Sequence, residues 1–215
     1  MCNAIRCLAT VMVVLIGADG PAHANLCEEA ADAVAAQMGV PLTILQVISL
    51  AESGKSRRDG TTVAWPWTVH ANGQGHWFAR ASDAISAVEH LISMGETNID
   101  IGCFQLNYRW HGDKFESIAQ MFDPRQNARI AAKFLYDLHR EQGDWRRAAG
   151  SYHSRTSFKA GHYVARLEQI YSGLPSAGQV PEPQDQIRQS APQGLTMPSG
   201  PLIVFRVTPL IRVVR

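Results

Sequence analysis

Apolar residues recur at helical spacing along most of the chain between residues 26 and 171. The first stripe runs over residues 26–38 and stops at Gly39, and a second stripe opens at Pro41 and runs to Glu52. Apolar side chains with this spacing share one face of a helix, and a glycine just past the last of them is a usual helix end. We therefore expect two consecutive helices at the start of this region.

Residues 61–78 depart from helical spacing. Aromatic and β-branched residues alternate there with other types, and Asn72-Gly73 divides the stretch in two. This pattern predicts a β-hairpin. Trp67 and Trp77 are candidate sugar contacts because flat aromatic faces pack well against pyranose rings. Alternatively, some of the hairpin tryptophans fill its buried face.

Helical spacing returns after residue 78 in four stretches, three of which begin at a residue type that commonly caps a helix. The predicted helices are residues 82–95, capped by Ser82; residues 123–143, capped by Asp123 with Pro124 at the first helical position; residues 144–152, capped by Asp144; and about 163–171. Proline is favoured at a first helical position. The sequence thus predicts a mainly α-helical domain with a small β-hairpin.

The first 24 residues have the features of a secretory signal peptide. Arg6 precedes an apolar run over residues 8–18, and a small-x-small pattern ends at Ala24. The run is shorter than the roughly 20 apolar residues of a membrane span. We expect cleavage after Ala24 and export to the periplasm without a membrane span, which leaves a folded domain over residues 25–173.

Residues 174–215 form a compositionally distinct tail. They contain seven of the eleven prolines and one aromatic residue, Phe205, so we expect a disordered segment. Its tip, residues 202–214, is β-branched and apolar with interspersed arginines. Such a tip can add as a strand to a partner protein, or it can pack back on its own domain.

Charge and composition bear on whether the protein binds nucleic acid or a metal ion. The formal net charge of +1 gives no indication of a nucleic-acid partner. The eight histidines include no His-x-x-x-His pattern with an acidic residue, and no paired cysteine spacing is present, so we expect no metal site.

Cys27 and Cys103 are the two cysteines left after signal cleavage. An even pair in an exported protein suggests a disulfide, the alternative being two separate buried thiols.

Glu52 is the most informative single residue. It lies at the end of the second apolar stripe, where the helix would press a carboxyl group into the wall of a cleft. Burial there would raise its pKa, as an acid catalyst near neutral pH requires. The alternative is a solvated glutamate in a last helical turn.

Four short motifs follow one another along the chain: Ala51-Glu52-Ser53, Ile101–Asn107, Ala148–Ser154 and Tyr163. In this order they resemble the motifs of the soluble lytic transglycosylases, goose-type-lysozyme-like enzymes that cut peptidoglycan. The resemblance covers about residues 40–171. The lead-in Asn98–Gly102 and the Trp-rich hairpin look most like small specialised members that open the wall for flagella or secretion systems.

The resemblance implies a reaction with one carboxylate and no cofactor. Glu52 would protonate the oxygen between N-acetylmuramic acid (MurNAc) and N-acetylglucosamine, and then deprotonate the 6-hydroxyl group that closes a 1,6-anhydro ring. Most glycosidases use two carboxylates. The other candidates read as loop or turn carboxylates, which favours the non-hydrolytic route: Asp59, Glu96, Asp100 and Asp113.

The resemblance also implies a set of substrate-binding residues: Ser53, Gln105, Asn107, Tyr152, His153 and Tyr163. Simpler roles are a helix cap for Ser53, a backbone-bonded amide for Gln105 and a core side chain for Tyr152. The chain departs from the family pattern in having His153 where Asn is common and Cys103-Phe104 where Leu-Met is usual.

Two other functions remain open at this level. One is a muramidase that uses water, and the other is a non-catalytic wall-binding assembly protein. The second would be expected to lack the acid, whereas Glu52 is present.

Overall fold

The computed structural model describes residues 25–174. The predicted signal peptide, residues 1–24, and the predicted tail beyond Leu174, with its tip at residues 202–214, lie outside the described residues. The described part is mainly α-helical with small antiparallel sheets. This confirms the predicted fold class for the domain.

Eight α-helices make up most of the described part: α1 (Leu26–Met38), α2 (Leu42–Ser53), α3 (Ala81–Ser93), α4 (Tyr108–His111), α5 (Ile118–Phe122), α6 (Pro124–Gln142), α7 (Trp145–His153) and α8 (Ser157–Gly173). Helix α1 ends at Gly39, as predicted, and Gly39 adopts the left-handed conformation. Asp123 and Asp144 cap α6 and α7, since their carboxylates accept hydrogen bonds from the amides of Gln126 and Arg147.

Two helices begin elsewhere than predicted. Helix α3 begins at Ala81, so Ser82 lies inside its first turn and Arg80 holds the N-cap position. Helix α8 begins at Ser157, well before Tyr163. The predicted start was too late because the first turn of α8 is mostly exposed and carries no apolar stripe. The short helices α4 and α5 were not predicted, since four and five residues are too few to show a period.

Six short strands accompany these helices within residues 25–174: β1 (Gly54–Ser56), β2 (Thr62–Ala64), β3 (Thr68–Ala71), β4 (Gln74–Trp77), β5 (Ile99–Ile101) and β6 (Leu106–Asn107). Strands β3 and β4 form a hairpin over the second part of the predicted stretch, residues 61–78, whereas residues 62–64 pair as β2 with β1 in a separate sheet. Asn72 and Gly73 have the two positive φ values, 54° and 75°, of a type I′ turn. Strands β5 and β6 extend it to the order β4-β3-β5-β6. They are too short for their alternation to be recognised in the sequence.

The register of this sheet aligns one residue from each strand. Gly75 of β4 lies opposite His70 of β3, His70 opposite Asp100 of β5, and Asp100 opposite Asn107 of β6. Residues directly opposite each other in an antiparallel pair project from the same face. All four line one cleft, so this face of the sheet forms one of its walls.

The core joins the helices to the inner face of the sheet. Its largest fully buried apolar side chains come from both: Leu45, Ile48, Ile99, Ile101, Phe104, Leu106, Met121, Leu135 and Leu138. This shared core fixes the C-terminal end of α2 relative to the sheet. Within residues 25–174, no helix combines the length and the apolar character needed to cross a membrane.

Cys27 and Cys103 lie at disulfide distance, with Cα atoms 5.6 Å apart. Both side chains are fully buried. The pair connects the first turn of α1 to the segment between β5 and β6, as the sequence analysis expected of a disulfide.

Candidate active site

A cleft of about 1210 Å³ opens between the sheet and the helices α2, α7 and α8. It brings together most of the residues that the sequence motifs suggested as a site: Glu52, Trp77, Gln105, Asn107, Tyr152 and His153. Tyr163 lies behind the surface of the cleft in contact with Glu52. Ser53 and Trp67 do not line it.

Glu52 occupies the last turn of α2, at the boundary between the core and the cleft. The hydroxyl of Tyr163 donates a hydrogen bond of 2.5 Å to its Oε1. Burial raises the pKa of Glu52 from 4.5 to about 7, while the Tyr163 hydrogen bond and the charge of Arg166 lower it and the charge of Asp100 raises it. Glu52 is therefore partly protonated at neutral pH, as predicted from its position.

Tyr163 and His153 form a stacked pair beside the acid. Their ring centroids are 4.5 Å apart, and their planes differ by 5°. Burial raises the pKa of Tyr163 well above its ordinary value, so its hydroxyl remains a donor toward Glu52. Burial also lowers the pKa of His153, which favours the neutral ring. Tyr163 thus donates a hydrogen bond to Glu52, and His153 lies on the side of the pair that lines the cleft.

Arg166 is a site residue that the sequence analysis missed. Its guanidinium donates a 2.7 Å hydrogen bond to the carbonyl of Ala51 and lines the cleft next to Glu52. It follows Tyr163 by three positions on α8, and residues at this spacing share a helix face. That spacing is the signal by which the sequence could have identified it.

Gln105 lies in a tight turn between β5 and β6. Its φ of 46° is unusual for a residue with a side chain. Its side-chain amide nitrogen donates to the carbonyls of Thr68 and Gly102, at 3.1 and 2.9 Å. The backbone-bonded role considered for Gln105 is therefore present, and the side chain also lines the cleft.

Tyr152 also bonds to this turn. Its hydroxyl donates a 2.8 Å hydrogen bond to the carbonyl of Phe104, and its ring packs against Phe134 at 5.4 Å. Since the phenolic proton is used within the protein, Tyr152 offers the cleft its ring face and a hydroxyl oxygen that can still accept.

Ser53 does not have the predicted position of a substrate contact. The residue is 0% exposed, and its hydroxyl oxygen lies 2.9 Å from the carbonyl oxygens of both Ser49 and Cys103, which share its single proton. This is the structural role that the sequence left open, and it connects the end of α2 to the turn before Gln105. The backbone of Ser53 also accepts a 3.1 Å hydrogen bond from the indole nitrogen of Trp77.

The two candidate tryptophans differ. Trp77, 44% exposed, stands in the cleft wall on β4 and remains a candidate sugar platform. Trp67 packs against the core and meets Trp65 edge to face, with ring centroids 5.9 Å apart. Trp67 thus has the core-packing role that the sequence left open for some of the tryptophans, and it does not line the cleft.

Asp100 is not a loop carboxylate, which corrects the sequence analysis. It lies on β5 and lines the cleft. Its Oδ1 accepts a 2.7 Å hydrogen bond from the side-chain amide nitrogen of Asn107, and its Oδ2 lies 3.5 Å from Nδ1 of His70. Its strand was too short to recognise, and for that reason its place in the site was missed.

A comparison with family models matches residues 81–162 to the transglycosylase SLT domain. Over these residues, which are fewer than half of the chain, the protein is similar to an SLT transglycosylase domain. Enzymes with this domain are lytic transglycosylases that act on peptidoglycan, in agreement with the resemblance seen in the motifs. The match includes Gln105, Tyr152 and His153 but starts after Glu52 and ends before Tyr163. No curated protein and no solved structure matches the chain.

Residues 25–174 contain no group of three or more His, Cys, Asp or Glu side chains placed to hold a metal ion.

Proposed function

We propose that the protein is an exported peptidoglycan lytic transglycosylase in which Glu52 serves as both catalytic acid and catalytic base. The observation that carries the proposal is the environment of Glu52. Its carboxyl group opens on the cleft, is otherwise surrounded by protein and has a pKa raised to about 7. A carboxyl group that keeps its proton near neutral pH can donate it to a glycosidic oxygen.

Cleavage begins when Glu52 gives its proton to the oxygen between MurNAc and N-acetylglucosamine. The bond from the anomeric carbon to that oxygen breaks, and the electron pair stays on the oxygen. The N-acetyl group of MurNAc stabilises the positive charge at the anomeric carbon. The Glu52 carboxylate then takes the proton of the 6-hydroxyl group as its oxygen bonds to the anomeric carbon. The product is a 1,6-anhydro end, and Glu52 is protonated again.

Tyr163 and Arg166 assist at the point where Glu52 carries a negative charge. The Tyr163 hydroxyl donates to Oε1, and a hydrogen bond to a charged acceptor is stronger than one to a neutral acceptor. Arg166 adds a nearby positive charge. Both favour the carboxylate formed after the first step, so the pKa rises to about 7 and no further, and Glu52 can serve both as acid and as base.

The reaction products distinguish this proposal from its two alternatives. Purified peptidoglycan is digested with the mature protein, and the fragments are weighed by mass spectrometry. A lytic transglycosylase gives anhydro-MurNAc ends, which are lighter by one water than the reducing ends from a hydrolytic muramidase. A wall-binding assembly protein gives no new fragments. We expect anhydro ends, and digestion without any of them would contradict the proposal.

We also propose that the enzyme works in the periplasm, where a flagellum or a secretion system crosses the wall, and that residues 175–215 recruit it. The support is the sequence of both ends and the motif resemblance.

Truncation after Leu174 is the suitable test, because Leu174 packs on the core. Recruitment predicts unchanged cleavage of purified wall and lost co-purification with assembly proteins. A cleavage rate that rises would instead indicate that the tail covers the cleft, and unfolding would contradict both readings.

A further inference from the structure

Asp100 is a carboxylate of the cleft that the proposed reaction does not use. Its side chain is 33% exposed and lines the same cleft as Glu52. The two carboxyl groups come from different walls, Glu52 from the end of α2 and Asp100 from β5, one of the two inner strands of the sheet. The charge of Asp100 contributes to raising the pKa of Glu52 and of Tyr152, so it lies within electrostatic reach of both.

The neighbours of Asp100 fix the direction of its carboxylate. Asn107 donates to Oδ1, and Asn107 is itself held because it also donates to Asn98 and accepts from the amide of Arg109. His70 lies opposite on β3, with its Nδ1 3.5 Å from Oδ2. A carboxylate that is oriented in this way and open to a cleft is suited to accept a proton from a bound water molecule.

We propose that Asp100 is a second catalytic carboxylate of this cleft, which activates water so that the enzyme also hydrolyses a fraction of the bonds it breaks. The inference rests on the proposed role of Glu52 as the acid. Glycosidases that invert configuration use this division of labour, with one carboxylic acid toward the leaving oxygen and one carboxylate toward water.

The hydrolytic step shares its beginning with ring closure. Glu52 protonates the leaving oxygen, and the bond to the anomeric carbon breaks. Asp100 then takes one proton from a water molecule, whose oxygen bonds to the anomeric carbon and gives a reducing MurNAc end. Solvent returns the proton from Asp100 to Glu52, so each event consumes one water. Asp100 therefore controls the ratio of the two products more than the total number of bonds broken.

The test uses peptidoglycan reduced beforehand with borohydride, so that every reducing end found afterwards is new. The mature protein digests it, borodeuteride marks the new reducing ends, and mass spectrometry compares them with the anhydro ends. We expect both products from the wild type. Asp100→Asn keeps the side-chain size and the acceptor for Asn107 but removes the base. It should lower the reducing ends at least about tenfold and leave the anhydro ends within about threefold.

Asp113→Asn is the matched control, because Asp113 is exposed in the 3-10 turn after α4 and does not line the cleft. Its product ratio should equal that of the wild type. If Asp100→Asn does not fold, Asp100→Glu decides, since moving the carboxylate by one methylene group must change the ratio.

A wild type that forms only anhydro ends overturns the role of Asp100 and leaves the proposed function standing. An unchanged ratio in a folded Asp100 variant overturns it as well. A wild type that breaks no bond contradicts the proposed function itself. Reducing ends alone, lost in Asp100→Asn, would support Asp100 and contradict ring closure.

Discussion

The proposed catalytic role of Glu52 comes at the expense of stability. Its folded-state pKa of about 7 lies above the ordinary 4.5, so the folded protein holds a proton that the unfolded chain releases. The stabilising contribution is complete below about pH 4.5 and is lost as the pH rises through 7. At neutral and alkaline pH, the buried and ionised Glu52 carboxylate therefore destabilises the folded state.

Glu52→Gln should accordingly raise the free energy of unfolding at pH 8. Glutamine keeps an acceptor for Tyr163 and cannot ionise, so we expect a gain of about 1–3 kcal/mol at pH 8 that disappears near pH 4. Denaturant unfolding at both pH values measures it. Glu89→Gln, at an exposed position on α3, should change stability little at either pH. A Glu52→Gln protein that is less stable than the wild type at pH 8 would contradict the assigned pKa.

Tyr163→Phe tests the tuning of the acid. The Tyr163 hydrogen bond lowers the pKa of Glu52, so its removal should raise that pKa above 7. Because the protonated acid begins the proposed reaction, the alkaline fall of the rate should move to higher pH, with a lower maximal rate. A pH–rate profile on purified wall measures it, with Tyr171→Phe on the exposed part of α8 as control. A shift to lower pH would contradict the account.

At the scale of elements, the turn between β5 and β6 is the part that the rest of the domain holds in place. The buried Asn127 of α6 accepts from the amide of Phe104 and donates to the carbonyls of Ile101 and Met121. Gly102 has a φ of 84°, and a Cβ there would lie 2.7 Å from the Asn127 amide. The turn that presents Gln105 thus depends on a side chain from a distant helix.

Asn127→Ala should therefore destabilise the domain. It leaves three buried backbone groups without their partner, and we expect a loss of roughly 2–4 kcal/mol in the free energy of unfolding. Wall cleavage should fall as well, since the turn carries Gln105. Denaturant titration and a cleavage assay measure the two effects. Arg129→Ala, at an exposed position on the same helix, serves as control, and equal stability of the two variants would refute this role of Asn127.

The pair Cys27–Cys103 supports the same turn from α1. Across a separation of 76 residues, a disulfide should contribute about 4 kcal/mol in the chain-entropy model. We expect no titratable thiol in the denatured, non-reduced mature protein, and lower stability of Cys27→Ala/Cys103→Ala. Two free thiols in that material would show that the cysteines are not paired.

The elements that the sequence predicted are those with local signals. Gly39, Asp123 and the pair Asn72-Gly73 each determine a helix end or a turn by their own backbone preferences. Strand β5 has no such signal, because its three residues form a strand only by pairing with β3 and β6. Asp100 was consequently misplaced, although its residue type had marked it as a candidate.

At the scale of the whole molecule, the candidate site is assembled from segments far apart in the chain. Glu52 could be predicted because a helix end next to a glycine loop is a local feature. Its partners could not be derived from local patterns, since the Glu52–Tyr163 contact spans 111 residues and the Arg166–Ala51 contact spans 115. The motif resemblance suggested Tyr163, whereas the place of Arg166 in the site is evident only from the packing of α8 against α2.

The central claim is that Glu52 alone begins the breakage of the glycan. The most direct test compares the rates at which wild type, Glu52→Gln and Glu89→Gln release fragments from purified peptidoglycan at pH 6. Glutamine keeps the volume of Glu52 but cannot give and retake a proton. We predict that Glu52→Gln loses activity at or beyond the upper end of about 10²–10⁴-fold, still binds peptidoglycan, and leaves Glu89→Gln at the wild-type rate. A folded Glu52→Gln protein within about tenfold of the wild type would contradict the claim, because that loss is smaller than removal of a general acid causes.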